Sequence, residues 1–132
     1  MIGKMFGNVD MIKAGLDASW LRNEVIANNI ANVDTPNFKS SSVSFESAFK
    51  NALNQEGFTA KTTRAGHIDF SDNLPRATVV TDTDTTYRMD GNNVNIDAES
   101  AALAKNQIYY NTLVRQLSSE FSKLNMAINE GK

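Results

Sequence analysis

Residues 97–131 read DAESAALAKNQIYYNTLVRQLSSEFSKLNMAINEG, and in them Leu103, Gln107, Tyr110, Val114, Leu117, Phe121, Leu124 and Ile128 recur at alternating intervals of four and three. That spacing lines them along one side of an α-helix as a heptad seam with a single polar member, Gln107. Asp97 stands where an N-cap belongs, Glu99 suits the positive end of the helix dipole, and Gly131 supplies a stop. A helix from Ala98 to Asn129 is about 48 Å long at 1.5 Å per residue, far longer than a compact domain of this size needs. Ala101, Ala104 and Ile108 form a weaker second face.

Working outward to the N-terminus, Val9, Ile12, Leu16, Trp20, Ile26, Ala27 and Ile30 share one broad helical face, interrupted by Ser19 and Asn23. Ala14, Ala18, Leu21 and Val25 form a second stripe on roughly the opposite side, and one partner cannot cover both. This reading therefore expects a partner from another chain on the second stripe. The helix is predicted to stop near Val33, because Thr35 precedes Pro36 and Asn37 readily turns the backbone. Phe45, Ala48, Phe49, Ala52 and Leu53 then fit a short amphipathic helix, capped by Ser44 and closed by Gly57.

Beyond Phe58 the periodicity fades, and Thr81 to Thr86 is close to low complexity. Ala77 to Thr81 and Tyr87 to Met89 read as short strands, and Asp90-Gly91 followed by Val94 and Ile96 reads as a hairpin turn. The predicted fold class is mainly α, with long N- and C-terminal helices pairing as a coiled-coil-like unit around a short helix and an irregular, partly β middle. One unit of 132 residues is expected, divided into an N-terminal helix (1–33), a middle segment (34–96) and a C-terminal helix (97–132).

The composition weighs against most chemistries. Hydrophobic residues make up 41% and charged residues 21%, outside the range of disordered or membrane-embedded chains. No stretch approaches the roughly 18 to 20 apolar residues that span a bilayer. The N-terminus lacks a short apolar core followed by a small-residue cleavage site, so export is expected without a cleaved signal. The net charge is −2 and the basic residues are scattered from Lys4 to Lys132, leaving no patch for nucleic-acid phosphates. Residues 69–99 hold seven acidic side chains against Arg76 and Arg88, a pattern that a solvated loop surface explains.

Cysteine is absent and His67 is the only histidine, so no metal site and no His-activated nucleophile is expected. A calcium loop starting at Asp82 needs glycine and a carboxylate where Tyr87 and Asn93 stand, and one starting at Asp90 meets Asn95 and Ala101 there. The seven glycines are isolated and none precedes a Lys-Ser or Lys-Thr pair, which removes the phosphate loop. The residues point to no cofactor and no catalytic site. A heptad seam alone fits an intramolecular core, a coiled-coil adaptor or a polymerising subunit.

The segment Ala27-Asn28-Asn29-Ile30-Ala31-Asn32-Val33-Asp34-Thr35-Pro36-Asn37-Phe38-Lys39 resembles the N-terminal signature of the flagellar rod and hook axial proteins. Typical members carry Gly-Tyr after the proline where this chain has Asn37-Phe38; asparagine also tolerates positive φ, and Phe keeps the ring. Arg64-Ala65-Gly66-His67-Ile68, and Tyr87-Arg88 leading to Asp90-Gly91-Asn92-Asn93-Val94-Asn95-Ile96-Asp97, look like the proximal rod members of that family. The resemblance covers nearly the whole chain.

It implies a structural, non-enzymatic subunit of the proximal rod of the flagellar basal body, periplasmic and next to the inner membrane, linking the membrane ring to the distal rod. Asn28, Asn29, Asn32, Asp34, Thr35 and Pro36 would form the assembly motif. Val9, Leu16, Ala27 and Ile30 on the first helix, with Leu103, Tyr110, Val114, Leu117, Phe121, Leu124 and Ile128 on the last, would form the seams of a tubular inner layer. The implied partners are other copies of the chain, other rod proteins, membrane-ring and ring-rod adaptor proteins and the flagellar export apparatus, with no nucleic acid and no cofactor.

Overall fold

The computed structural model describes residues 2–54 and 74–129. Along them run α1 (Ile2–Ala31), β1 (Ser41–Ser44), α2 (Glu46–Asn54), β2 (Thr78–Thr81) and α3 (Ile96–Asn129). The architecture is the predicted one: mainly helical, the two long terminal helices packed on each other, with a short helix and a small antiparallel strand pair between them. The helical hairpin has one register. Asn29 meets Glu99, Ser19 and Asn23 meet Asn106, and Gly15 lies against Leu113, so α1 and α3 run antiparallel. A Cβ on Gly15 would sit 3.2 Å from a Leu113 methyl, and the missing side chain lets the helices approach there.

The second stripe of α1 finds its partner inside the same chain, which corrects the expectation that another chain must cover it. Ala18 and Val25 are buried together with Val43 and Phe45, because β1 packs along α1 and Leu74 to Ala77 face Ala14, Ala18 and Leu21 across an open cleft of about 440 Å³. The middle segment folds back on the helix and covers apolar area that would otherwise remain wet. Arg22 ties the layers together: its Nη2 donates to Val43 O (3.2 Å) and to Glu46 Oε1 (2.6 Å).

β2 forms where the sequence places it and pairs with β1 from Ser41↔Thr81 to Ser44↔Thr78. β1 was not predicted; its serines carry little strand signal, and only Val43 of its four side chains is buried. Ser44 therefore does not cap α2. Phe45 takes that place, accepting from Phe49 N (2.9 Å), and its ring lies 5.4 Å from that of Phe49.

At the start of α3 the cap is Asn95, whose Oδ1 accepts from Asp97 N (3.0 Å) and Ala98 N (3.2 Å); Asp97 is already inside the helix. No strand forms at Tyr87 to Met89, since the N–H groups of Tyr87 and Arg88 both converge on Asn92 O (3.0 and 2.9 Å), folding the chain into a tight loop instead of a ladder. Gly57, Arg64 to Ile68 with His67, and Gly131 lie outside the described residues.

Candidate functional site: an asparagine elbow and an exposed helix stripe

Two of the segments that carried the resemblance, 27–39 and 87–97, fold against each other. α1 ends at Ala31 and leaves its last carbonyls without helical partners, as every helix does. Asn32 N donates to Asn28 O and Asn29 O (3.2 and 3.1 Å), and Val33 N to Ile30 O (3.3 Å). The Asn92 Nδ2 then donates to Asn32 O, Val33 O and Thr35 O, at 3.0, 3.0 and 2.9 Å, while its Oδ1 accepts from Val94 N (2.7 Å). Asn92 is 0% exposed, so one side chain closes the end of α1 from inside. Arg88 supports it from outside, donating to Val33 O (2.9 Å) and pairing with Asp34 (3.1 Å). Asn37 takes φ of 58° and its N–H donates to Asp90 O (3.0 Å); Gly91 opposite, at φ of 83°, leaves room for the Asn37 amide.

Asn29 joins three elements and is 1% exposed. Its amide pairs with the backbone of Ser41 in both senses, donating to Ser41 O (2.8 Å) and accepting from Ser41 N (3.0 Å), as a neighbouring strand would. Its Nδ2 also donates to Glu99 Oε1 (3.0 Å). Burial pushes the Glu99 carboxyl above its ordinary range, and this Asn29 bond only partly opposes the shift. The other motif residues lie toward solvent. Asn28, Asp34, Thr35 and Pro36 are exposed, and Asn32, half-buried, bonds back one turn from its Nδ2 to Asn28 O (2.8 Å).

The predicted seam residues divide. Val9, Leu16, Ile30, Leu103, Leu117 and Leu124 are half-buried within the subunit, whereas Ala27, Tyr110, Val114, Phe121 and Ile128 are exposed. Phe121 is 51% and Ile128 66% exposed. The α3 positions turned inward are Glu99, Leu103, Asn106, Leu113, Leu117, Glu120 and Leu124, a heptad track offset by one residue at every second place. Asn92 and Asn106 escape a reading by apolar periodicity because both are polar; the Asn28 to Pro36 motif and the cluster of asparagines at 92, 93 and 95 are the traces of the elbow in the sequence.

Among the described residues no group of three or more His, Cys, Asp or Glu side chains is placed to hold a metal, and no helix is long and apolar enough to cross a membrane. The arrangement offers surfaces for helix packing. Residues 15–39, the stretch from the Gly15 contact through the proline turn, match the family described as "Flagella basal body rod protein". The chain is 39% identical to the flagellar basal body rod protein FlgB of Bacillus subtilis, with 96% of each chain covered. To FlgB of Borreliella burgdorferi it is 37% identical, over 92% of this chain and 95% of that one, and to FlgB of Aquifex aeolicus 28%, over 94% of each. The chain belongs to the flagellar basal body rod proteins and, within them, to the FlgB family.

Proposed function

We propose that this chain is a structural subunit of the membrane-proximal rod of the flagellar basal body, in the periplasm beside the inner membrane. It assembles with other copies and other rod proteins through its terminal helices. It joins the membrane ring, through ring and adaptor proteins, to the distal rod, reaches that place by the flagellar export apparatus, and transmits torque without catalysing a reaction. The observation that carries this reading is the apolar row on α3 left exposed among the described residues: Val114, Phe121 and Ile128, with Tyr110 at its edge. A second helix laid along it would bury the row in a closed seam.

The test is electron microscopy of basal bodies purified from cells that carry a tagged copy, with a label on the tag. Label at the membrane-proximal end of the rod is the expected result. A soluble pool with no label on the rod would overturn the proposal and favour a helix-binding adaptor.

A further inference from the structure

α3 offers α1 two seams that share Leu103, Tyr110, Leu117 and Leu124. One adds Gln107, Val114, Phe121 and Ile128; the other adds Glu99, Asn106, Leu113 and Glu120. Apolar burial alone favours the first, yet α1 lies on the second: Leu113 meets Gly15, Asn106 is 2% exposed, and Phe121 and Ile128 face out. Something other than apolar area selects the register.

The selecting layer is polar. Asn106 Nδ2 donates to Ser19 O (2.8 Å) and to Asn23 Oδ1 (2.8 Å), and Ser19 Oγ donates to Asn106 Oδ1 (3.0 Å). Ser19 is itself buried, so each helix contributes a buried polar group that only the other satisfies. Rolling α3 by roughly 40°, less than half of the step of about 100° between residues, exchanges one seam for the other; it would break all three bonds and strand Ser19 beneath an apolar row. A single buried asparagine in a helical seam is known to set register at some cost in stability.

We propose that Asn106, with Ser19 and Asn23, is the specificity-determining layer of the subunit: it holds α1 on the more polar track of α3 and thereby withholds the more apolar track from the subunit's own core. The occupant of the withheld track, a helix of a second copy, rests on the assembly reading above; the register does not. The layer makes the subunit fold to a hairpin that is less apolar inside than its sequence permits.

The chain has no cysteine, so introduced pairs report register without background. Gly15→Cys with Leu113→Cys samples the observed register, and Gly15→Cys with Val114→Cys samples the rotated one. Both are made in the full chain, oxidised with diamide in dilute solution and read as the rate of the intramolecular mobility shift. The 15/113 pair is expected to close about tenfold faster than the 15/114 pair, and Asn106→Leu to bring the two rates within about threefold. A closure ratio unchanged by Asn106→Leu overturns the proposal. If that variant shows no helical circular dichroism, Asn106→Val carries the same test. Incorporation into basal bodies, scored separately, should fall in the variant whose register has relaxed; undiminished incorporation would show that the register does not reserve the stripe for assembly. An unlabelled rod in the natural background would sink the assembly reading and leave the monomer closure ratios standing.

Discussion

Asn92 closes the end of α1 through contacts that a helix cap drawn from neighbouring residues could not make. It reaches back across 57 to 60 positions to three carbonyls, so the termination of the first helix depends on a loop near the start of the last one. Pro36, by contrast, is exposed at the turn and adds local stiffness. Asn92→Ala is therefore expected to cost about 3 kcal/mol, since three part-buried carbonyls and the buried Val94 N–H lose this partner, and to lower the melting temperature by about 10 °C in circular dichroism. Pro36→Ala should cost less than about 1 kcal/mol.

Glu99 carries a pH-dependent share of the stability. Burial raises its folded pKa above the ordinary value of 4.5, so between the two values the folded chain binds more protons than the unfolded one, and stability falls as pH rises through that window. Glu99→Gln keeps an acceptor for Asn29 and removes the buried charge. Its melting temperature should exceed that of the natural chain at neutral pH, and the difference should shrink as pH falls and disappear below 4.5. Glu46 acts in the opposite direction. Burial tends to raise its pKa but is outweighed by the backbone N–H of Glu46 itself, by the bond from Arg22 and by that cation's charge, which together lower it; the stability it contributes is lost as the solution becomes acid.

At the scale of elements, α3 presents two faces with different fates. Leu117 is half-buried within the hairpin, whereas Phe121, four residues on, is half in water. Leu117→Asp should destabilise the isolated subunit by about 2 to 3 kcal/mol, the cost of a carboxylate in a partly closed apolar contact. Phe121→Asp should leave its melting temperature within about 2 °C while abolishing incorporation into basal bodies. Equal thermal destabilisation by the two substitutions would show that Phe121 belongs to the subunit's own core. The helices themselves were legible from spacing, and so were β2 and the proline stop. β1 was not, because four residues with three serines acquire strand geometry from Asn29 and from a partner strand 34 to 40 positions away.

For the whole molecule, the core is small: Ala18, Val25, Ile26, Val43, Phe45 and Val94 are its buried apolar side chains among the described residues, beside a comparable set of buried polar ones that includes Ser19, Asn29, Asn92 and Asn106. Hydrogen bonds position the elements, and much apolar surface is left outside. Sedimentation of the purified chain should then show association that grows with concentration and that Phe121→Asp suppresses; a monomer at every concentration would count against the exposed row as a self-association surface.

The helical class, the two long terminal helices and the turn at Pro36 could be read from the residues alone, because apolar periodicity and a helix-ending motif are local signals carried by neighbouring residues; the rod family followed from the resemblance of residues 27–39 and 87–97, not from periodicity. Which face of α3 turns inward, which partner covers the second stripe of α1, and that Asn29 and Asn92 are the joints of the elbow emerge only in the folded chain. Those outcomes depend on polar groups far apart in the chain that must satisfy one another once buried, and no periodicity records which asparagine will meet which carbonyl.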